Sequence, residues 1–114
     1  MKHIGVVGSR RRNSNTDYKI VTDKFFEVYE PGDVIVSGHC SKGADSFAEM
    51  IANCSHIPII LYPANWKEYG RAAGFIRNTD IANKSDVLIA CVAHDRKGGT
   101  EDTIKKFKGE LHLV

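Results

Sequence analysis

Apolar runs and amphipathic stretches alternate along the whole of this 114-residue chain. Residues 3–8 (HIGVVG) form an apolar run that opens directly into a glycine turn, the pattern of a strand. Residues 16–29 place Tyr18, Val21, Phe25 and Val28 at spacings of three and four, one face of a helix. Pro31-Gly32-Asp33 then breaks the chain. A second short, β-branched strand is expected at 34–37 (VIVS), and Ala44, Phe47, Ala48, Ile51 and Ala52 form one stripe of a helix over 43–54. A third strand is expected at 56–62, with Pro58 near its start, where a missing N–H is tolerated. Residues 66–83 read as largely helical, in two pieces if the chain breaks near Gly70 or Gly74. Residues 86–92 (DVLIACV) predict a fourth strand, 100–108 a further helix, and 110–114 (ELHLV) a fifth strand.

Near-continuous apolar strands that alternate with helices predict a parallel sheet covered on both faces. The expected class is α/β: a Rossmann-like three-layer fold with a mostly parallel sheet of about five strands. The length suits one domain spanning 1–114 with a proper core of its own. In such sheets a ligand lies beyond the carboxyl ends of the strands, at the switch in strand order. The loops after strands one, two and four are therefore where chemistry is expected.

Those loops are the unusual ones. They are Gly8-Ser9-Arg10, then the stretch Ser37-Gly38-His39-Cys40-Ser41-Lys42-Gly43-Ala44-Asp45, then His94 through Gly98-Gly99-Thr100. Each runs into a helix N-terminus, which offers unpaired N–H groups and the positive end of the helix dipole. Glycine lets a phosphate approach the backbone closely, and anions bind such termini readily. Taken singly, each loop also has a plain reading. Gly8-Ser9-Arg10 fits a tight turn, Asp45 fits a first-turn carboxylate facing the dipole, and Thr100 fits a helix N-cap. Gly38 and Gly43 have the spacing of the first part of a phosphate loop. Ala44-Asp45 stand where a Walker sequence needs Lys followed by Ser or Thr, so a P-loop NTPase is excluded. Three such loops at one end of one sheet weigh more together than apart.

The stretch from Tyr62 to Asn78 adds one tryptophan, Trp66, together with Tyr69, Arg71 and the pair Arg77-Asn78. Arg71 reads as a solvated charge. Arg77-Asn78 reads as part of a site, because the arginine fork suits phosphate. His39 and Cys40 share a ligand loop, but neighbours in sequence rarely have the geometry of a nucleophile and its base.

Composition narrows the classes. With 42% hydrophobic and 26% charged residues the chain is ordinary for a soluble globular protein. A net charge of +2 is too weak to argue for nucleic acid, and Arg10-Arg11-Arg12, the one local excess, reads as a solvated basic turn. Three cysteines, Cys40, Cys54 and Cys91, without CxxC spacing, speak against a disulfide framework or a zinc site and for reduced cytosolic thiols. The first apolar run is too short for a signal peptide, and no stretch has the length of a membrane span. The expectation is a cytoplasmic protein with no metal, no cofactor and no membrane partner.

Read in order, GSR…SGHCSKGAD…YPANWKEYGRAAGFIRN…SDVLIACV…KGGT resembles the YspA-like (cpYpsA-related) branch of the SLOG superfamily, from Gly8 to Thr100. That superfamily also holds the Lonely-guy (LOG) phosphoribohydrolases and the DNA-processing protein DprA. The resemblance implies a Rossmann-like fold with a pocket for a nucleotide or nucleotide-derived ligand, ADP-ribose-like or a nucleoside phosphate. It also implies a homodimer, paired through helices flanking the sheet. On this reading phosphates sit on Gly8-Ser9, Gly43-Ala44 and Gly99-Thr100, with Ser37, Gly38 and Gly98 shaping the loops. Arg10, Arg77 and Asn78 add charge and hydrogen bonds, Asp45 accepts from a ribose hydroxyl, and Trp66 or Tyr69 stacks on a base. The chain would be a sensor or, standing alone, a scavenger of nucleotide signals.

The Lonely-guy enzymes cleave the N-glycosidic bond of nucleoside monophosphates. Against their signature, Arg77 falls on the arginine, Asp86 opens the strand, and Gly98-Gly99-Thr100 matches the glycine loop in shortened form. Their catalytic glutamate belongs three residues after the threonine, where this chain has Thr103. Glu101 and Asp102 would point about 200° and 100° away from that position on a helix. A phosphoribohydrolase is therefore the alternative, with Asp45 and Glu101 as candidates for the carboxylate that the oxocarbenium-like centre needs. DprA-like binding of single-stranded DNA is a second alternative.

Overall fold

The computed structural model describes residues 1–40 and 42–114. The first apolar run becomes β1 (His3–Gly8), in which Ile4 and Val6 face one side of the sheet and Val7 the other. Helix α1 (Asn15–Val28) starts at a capping box: the Ser14 Oγ accepts from the Asp17 N–H at 3.1 Å, and the Asp17 carboxylate accepts from the Ser14 N–H. Next come β2 (Val34–Ser37), α2 (Ala44–Ser55), β3 (Ile59–Leu61) and α3 (Trp66–Tyr69). A single 3₁₀ turn (Gly70–Ala72) joins α3 to α4 (Ala73–Lys84), and β4 (Val87–Cys91), α5 (Gly99–Lys106) and β5 (Glu110–Leu113) complete the chain.

All five strands are parallel, in the order β3-β2-β1-β4-β5. The chain builds outward from β1 to β3, then returns to lay β4 on the free side of β1. Helices α1 and α2 cover one face over Ile4, Val6, Ile35, Ile89 and Cys91. Helices α4 and α5 cover the other over Val7, Val36, Leu88 and Ala90. Phe25 and Ile51, fully buried under the first layer, each contribute about 2–3 kcal/mol of apolar burial. The result is a three-layer α/β fold of the Rossmann type. No described helix is long and apolar enough to cross a membrane.

The start of the third strand and the cap of the last helix differ from the sequence expectation, each for a local reason, while the break expected near Gly70 or Gly74 falls at the first of these. The third strand begins at Ile59, because α2 ends on left-handed His56 (φ 55°) and the Ile57 N–H turns back to the Ala52 carbonyl. The long helical stretch breaks at Gly70 (φ 56°), while Gly74 lies within α4. The last helix takes Gly98 (φ 119°) as its N-cap, so Thr100 sits inside its first turn and does not cap it.

Candidate functional site

Gly8 closes β1 beside Cys91, the last residue of β4. A Cβ on Gly8 would lie 2.7 Å from the Ala44 Cβ and 2.8 Å from the Cys91 Cβ, so only glycine lets α2 begin this close to the sheet. Beyond this point the chain leaves β1 toward one face of the sheet, and leaves β4 toward the other. The loops splay apart and open a cleft of about 410 Å³ at the switch in strand order. That volume lies within the range of small-molecule sites.

Four segments line the cleft. The β1 loop supplies Gly8, Ser9, Arg10 and Arg11, and the β2 side supplies Cys40 and Asp45. The α3–α4 stretch supplies Trp66, Arg71, Phe75, Arg77 and Asn78; the β4 loop and α5 supply Lys97, Gly98, Gly99, Thr100 and Thr103. Among the described residues the lining thus holds five cations, Arg10, Arg11, Arg71, Arg77 and Lys97, and one carboxylate, Asp45. Low-dielectric walls lined by one sign of charge concentrate the opposite sign, so the cleft favours an anion. Trp66 and Phe75 stand at its edge, each more than half exposed.

The floor is a fixed polar network. Arg77 donates from Nη1 to the Gly38 carbonyl at 2.9 Å and from Nε to the Asn78 Oδ1 at 3.1 Å. Its guanidinium also lies 3.9 Å from Asp45. Asn78 donates to the Gly99 carbonyl at 3.2 Å and to Asp102 at 3.1 Å, and Lys106 reaches Asp102 at 2.8 Å. Asn78 therefore ties the start of α5 to α4. Burial pushes the Asp45 carboxyl above its ordinary range; Arg77, the Ser37 hydroxyl and the Gly38 N–H oppose that shift in part. The Ser37 Oγ lies 3.0 Å from the Val6 carbonyl and 3.2 Å from Asp45 Oδ1. It owns one proton and cannot donate to both. A protonated Asp45 satisfies all three groups by donating to Ser37.

The residues that the sequence points to divide into walls, supports and outliers. Gly8, Ser9, Arg10, Asp45, Trp66, Arg77, Asn78, Gly98, Gly99 and Thr100 share the cleft. Ser37, Gly38, Gly43 and Ala44 lie behind it as supports. The Gly43 N–H is taken by the Asn13 Oδ1 at 2.8 Å, and the Ser9 N–H by the Cys91 carbonyl at 2.9 Å. Neither is left for a phosphate. The first N–H groups of α5, at Gly99 and Thr100, have no intrahelical acceptor and sit on the cleft wall. Tyr69 is exposed and does not line the cleft. Glu101 also lies off the lining, held by Arg96 through two 2.8 Å bonds.

Arg11, Arg71, Phe75, Lys97 and Thr103 join the lining although sequence reasoning does not assign them to it. Phe75 and Arg71 had a signal in the glycines that flank them, which open the start of α4. The arginine triplet serves three separate purposes. Arg11 bridges to Asp95 at 2.7 and 3.0 Å. Arg12 pairs with Asp17 and holds the Val114 carbonyl. Arg10 alone faces the cleft without a counter-charge among the described residues.

In comparison with known proteins, the chain matches no family model, no curated protein and no solved structure.

Proposed function

We propose that the protein binds a nucleotide or nucleotide-derived ligand in the cleft between the β1 and β4 loops. One observation carries this reading: two glycine loops, the N-terminus of α5, five cationic side chains and two exposed aromatic rings converge on a single cleft at the strand-order switch. A phosphate on Gly99-Thr100, within reach of Arg10 and Arg77, and a base against Trp66 or Phe75 would use the helix terminus, two of the cations and the aromatic edge. The resemblance to the YspA-like branch of the SLOG superfamily supports the same reading.

Binding without turnover is favoured over N-glycosidic hydrolysis. The position at which the Lonely-guy resemblance expects a glutamate does face the cleft, but Thr103 occupies it and is 1% exposed. Asp45 is buried under Arg77 and Ser37, and Glu101 is committed to Arg96 outside the lining. Among the described residues that line the cleft, no free carboxylate remains to stabilise an oxocarbenium-like centre. A homodimer in this reading would pair through the α1–α2 layer, where Ile20, Phe26 and Met50 are exposed; light scattering of the eluted protein checks it.

The test is thermal unfolding against AMP, ADP-ribose, cyclic ADP-ribose forms, NAD, cyclic dinucleotides and a short single-stranded DNA, with mass spectrometry of each sample afterwards. A ligand at about a hundred times its dissociation constant adds roughly 2.7 kcal/mol, a shift of roughly 10 °C for a domain of this size. A shift with the nucleotide intact is expected. Released base would instead establish the hydrolase. A shift with DNA alone, lost in salt, would replace the reading with the nucleic-acid one.

A further inference from the structure

We propose that the ligand is a nucleotide extended beyond its first phosphate and ending in a further anionic group, which Lys42 receives in a second depression that shares Arg10 with the main cleft. The inference rests on the nucleotide reading above and specifies its ligand class. A second depression adjoins the cleft and shares Arg10, Arg11 and Cys40 with it. His39 and Lys42 also line it, and among the described residues its lining contains no acidic residue. Trp66 and Phe75 belong to the main cleft only, so the two depressions are joined through Arg10, Arg11 and Cys40 and not through the aromatic rings. A ligand laid along both has its base at the rings and its first phosphate at the β1 and β4 loops. Its far end then lies in the second depression.

That far end must be negative. Arg11 is matched by Asp95, and His39 shares a 2.8 Å hydrogen bond with Glu49. Among the described residues Arg10 and Lys42 have no salt-bridge partner, and both are exposed. Two unmatched cations beside a partly matched guanidinium leave a positive field that an uncharged sugar would not use. A nucleoside monophosphate would not reach it, and an ADP-ribose-like ligand would bring a neutral end to it. A nucleoside di- or triphosphate, or a pyrophosphate-linked nucleotide with a terminal phosphate, fits both depressions.

The experiment measures dissociation constants by calorimetry, without divalent metal, for AMP, ADP, ATP and ADP-ribose and for the matching guanine series. It is run on the wild-type protein and on Lys42→Ala and Lys42→Glu, since Lys42 is exposed and lines only the second depression. The triphosphate should bind roughly tenfold tighter than the monophosphate and than ADP-ribose, as expected for one more charge-assisted contact at an exposed site. Lys42→Ala should erase most of that gain and leave monophosphate binding unchanged; Lys42→Glu should reverse it. Equal affinity across a series, or ADP-ribose matching ATP, overturns the extension and leaves the nucleotide reading intact. A triphosphate preference that neither variant alters also overturns it. Binding by no nucleotide at all overturns both.

Discussion

Arg77 reaches across the floor of the cleft from α4 to the start of α2, where its Nη1 lies 3.9 Å from the Asp45 carboxylate while it donates to the Gly38 carbonyl. Neither side chain is more than a fifth exposed, so each sets the electrostatic environment of the other. A buried acid that has lost its only facing cation is costly, and the cost depends on whether the acid is ionised.

Arg77→Met is accordingly expected to destabilise the fold by about 2–3 kcal/mol near neutral pH. Burial raises the folded-state pKa of Asp45, so its contribution to stability is full at low pH and is lost as pH rises through that value. Removing Arg77 raises the value further. The penalty should therefore shrink as pH falls toward 4, and adding Asp45→Asn should recover most of it at neutral pH. Urea unfolding of both variants at two pH values measures this.

Trp66 is the only tryptophan of the chain and is 56% exposed on the cleft edge. Its fluorescence, excited at the red edge where the four tyrosines do not absorb, should change on nucleotide binding. Trp66→Ala should weaken binding about three- to tenfold, the worth of one stacking contact, with little effect on the unfolding midpoint. Titration by calorimetry gives the first quantity and thermal unfolding the second.

Two glycines with positive φ should respond very differently to alanine. At Gly43 (φ 75°) a Cβ would meet the Ser9 carbonyl oxygen at 2.6 Å, whereas at Gly70 (φ 56°) nothing lies within 4 Å. Gly70 combines φ 56° with ψ −131°, which residues with a Cβ rarely adopt, so Gly70→Ala should cost backbone strain alone, about 1–3 kcal/mol. Gly43→Ala must also push the β1 loop away from α2. It should cost visibly more and reduce nucleotide affinity, because Ser9 and Arg10 move with that loop. Parallel unfolding and binding curves for the pair distinguish strain from steric displacement.

Asp33 contributes to the acid sensitivity of the fold. Burial disfavours its charge, but the Lys2 ammonium at 2.6 Å and the N–H groups of Lys2 and Glu30 outweigh burial and hold its pKa at about 2. A depressed folded-state pKa means stability that is present above the unfolded value and lost as pH falls. The loss should run from about pH 4 to about pH 2 and amount to roughly 2 kcal/mol. Asp33→Asn should show that deficit at pH 6 and converge on the wild type at pH 2, read from urea midpoints along the pH series.

Much of the architecture was legible because it is periodic. The stripes Tyr18–Val21–Phe25–Val28 and Ala44–Phe47–Ala48–Ile51 report which side of a helix must leave water, and the apolar runs report strands buried on both faces. The three glycine loops were legible for a similar reason, since a close approach at Gly8 or a positive φ at Gly43 and Gly98 demands that residue locally. Boundaries were less so. The start of β3 depends on His56 adopting a left-handed conformation, which its residue type does not announce.

By itself, then, the sequence determined the α/β class, the alternation of elements and the end of the sheet at which glycine and hydroxyl residues gather. Tertiary structure alone decided which side chains share the cleft and which are already spent. Arg11 meets Asp95 across 84 residues, Arg77 meets Gly38 across 39, and Asn78 meets Asp102 across 24. Such pairings depend on strand order and on the faces to which helices return. Pattern along the chain carries burial, which is local, but not the choice of a charged partner, which is made only when distant loops are brought together.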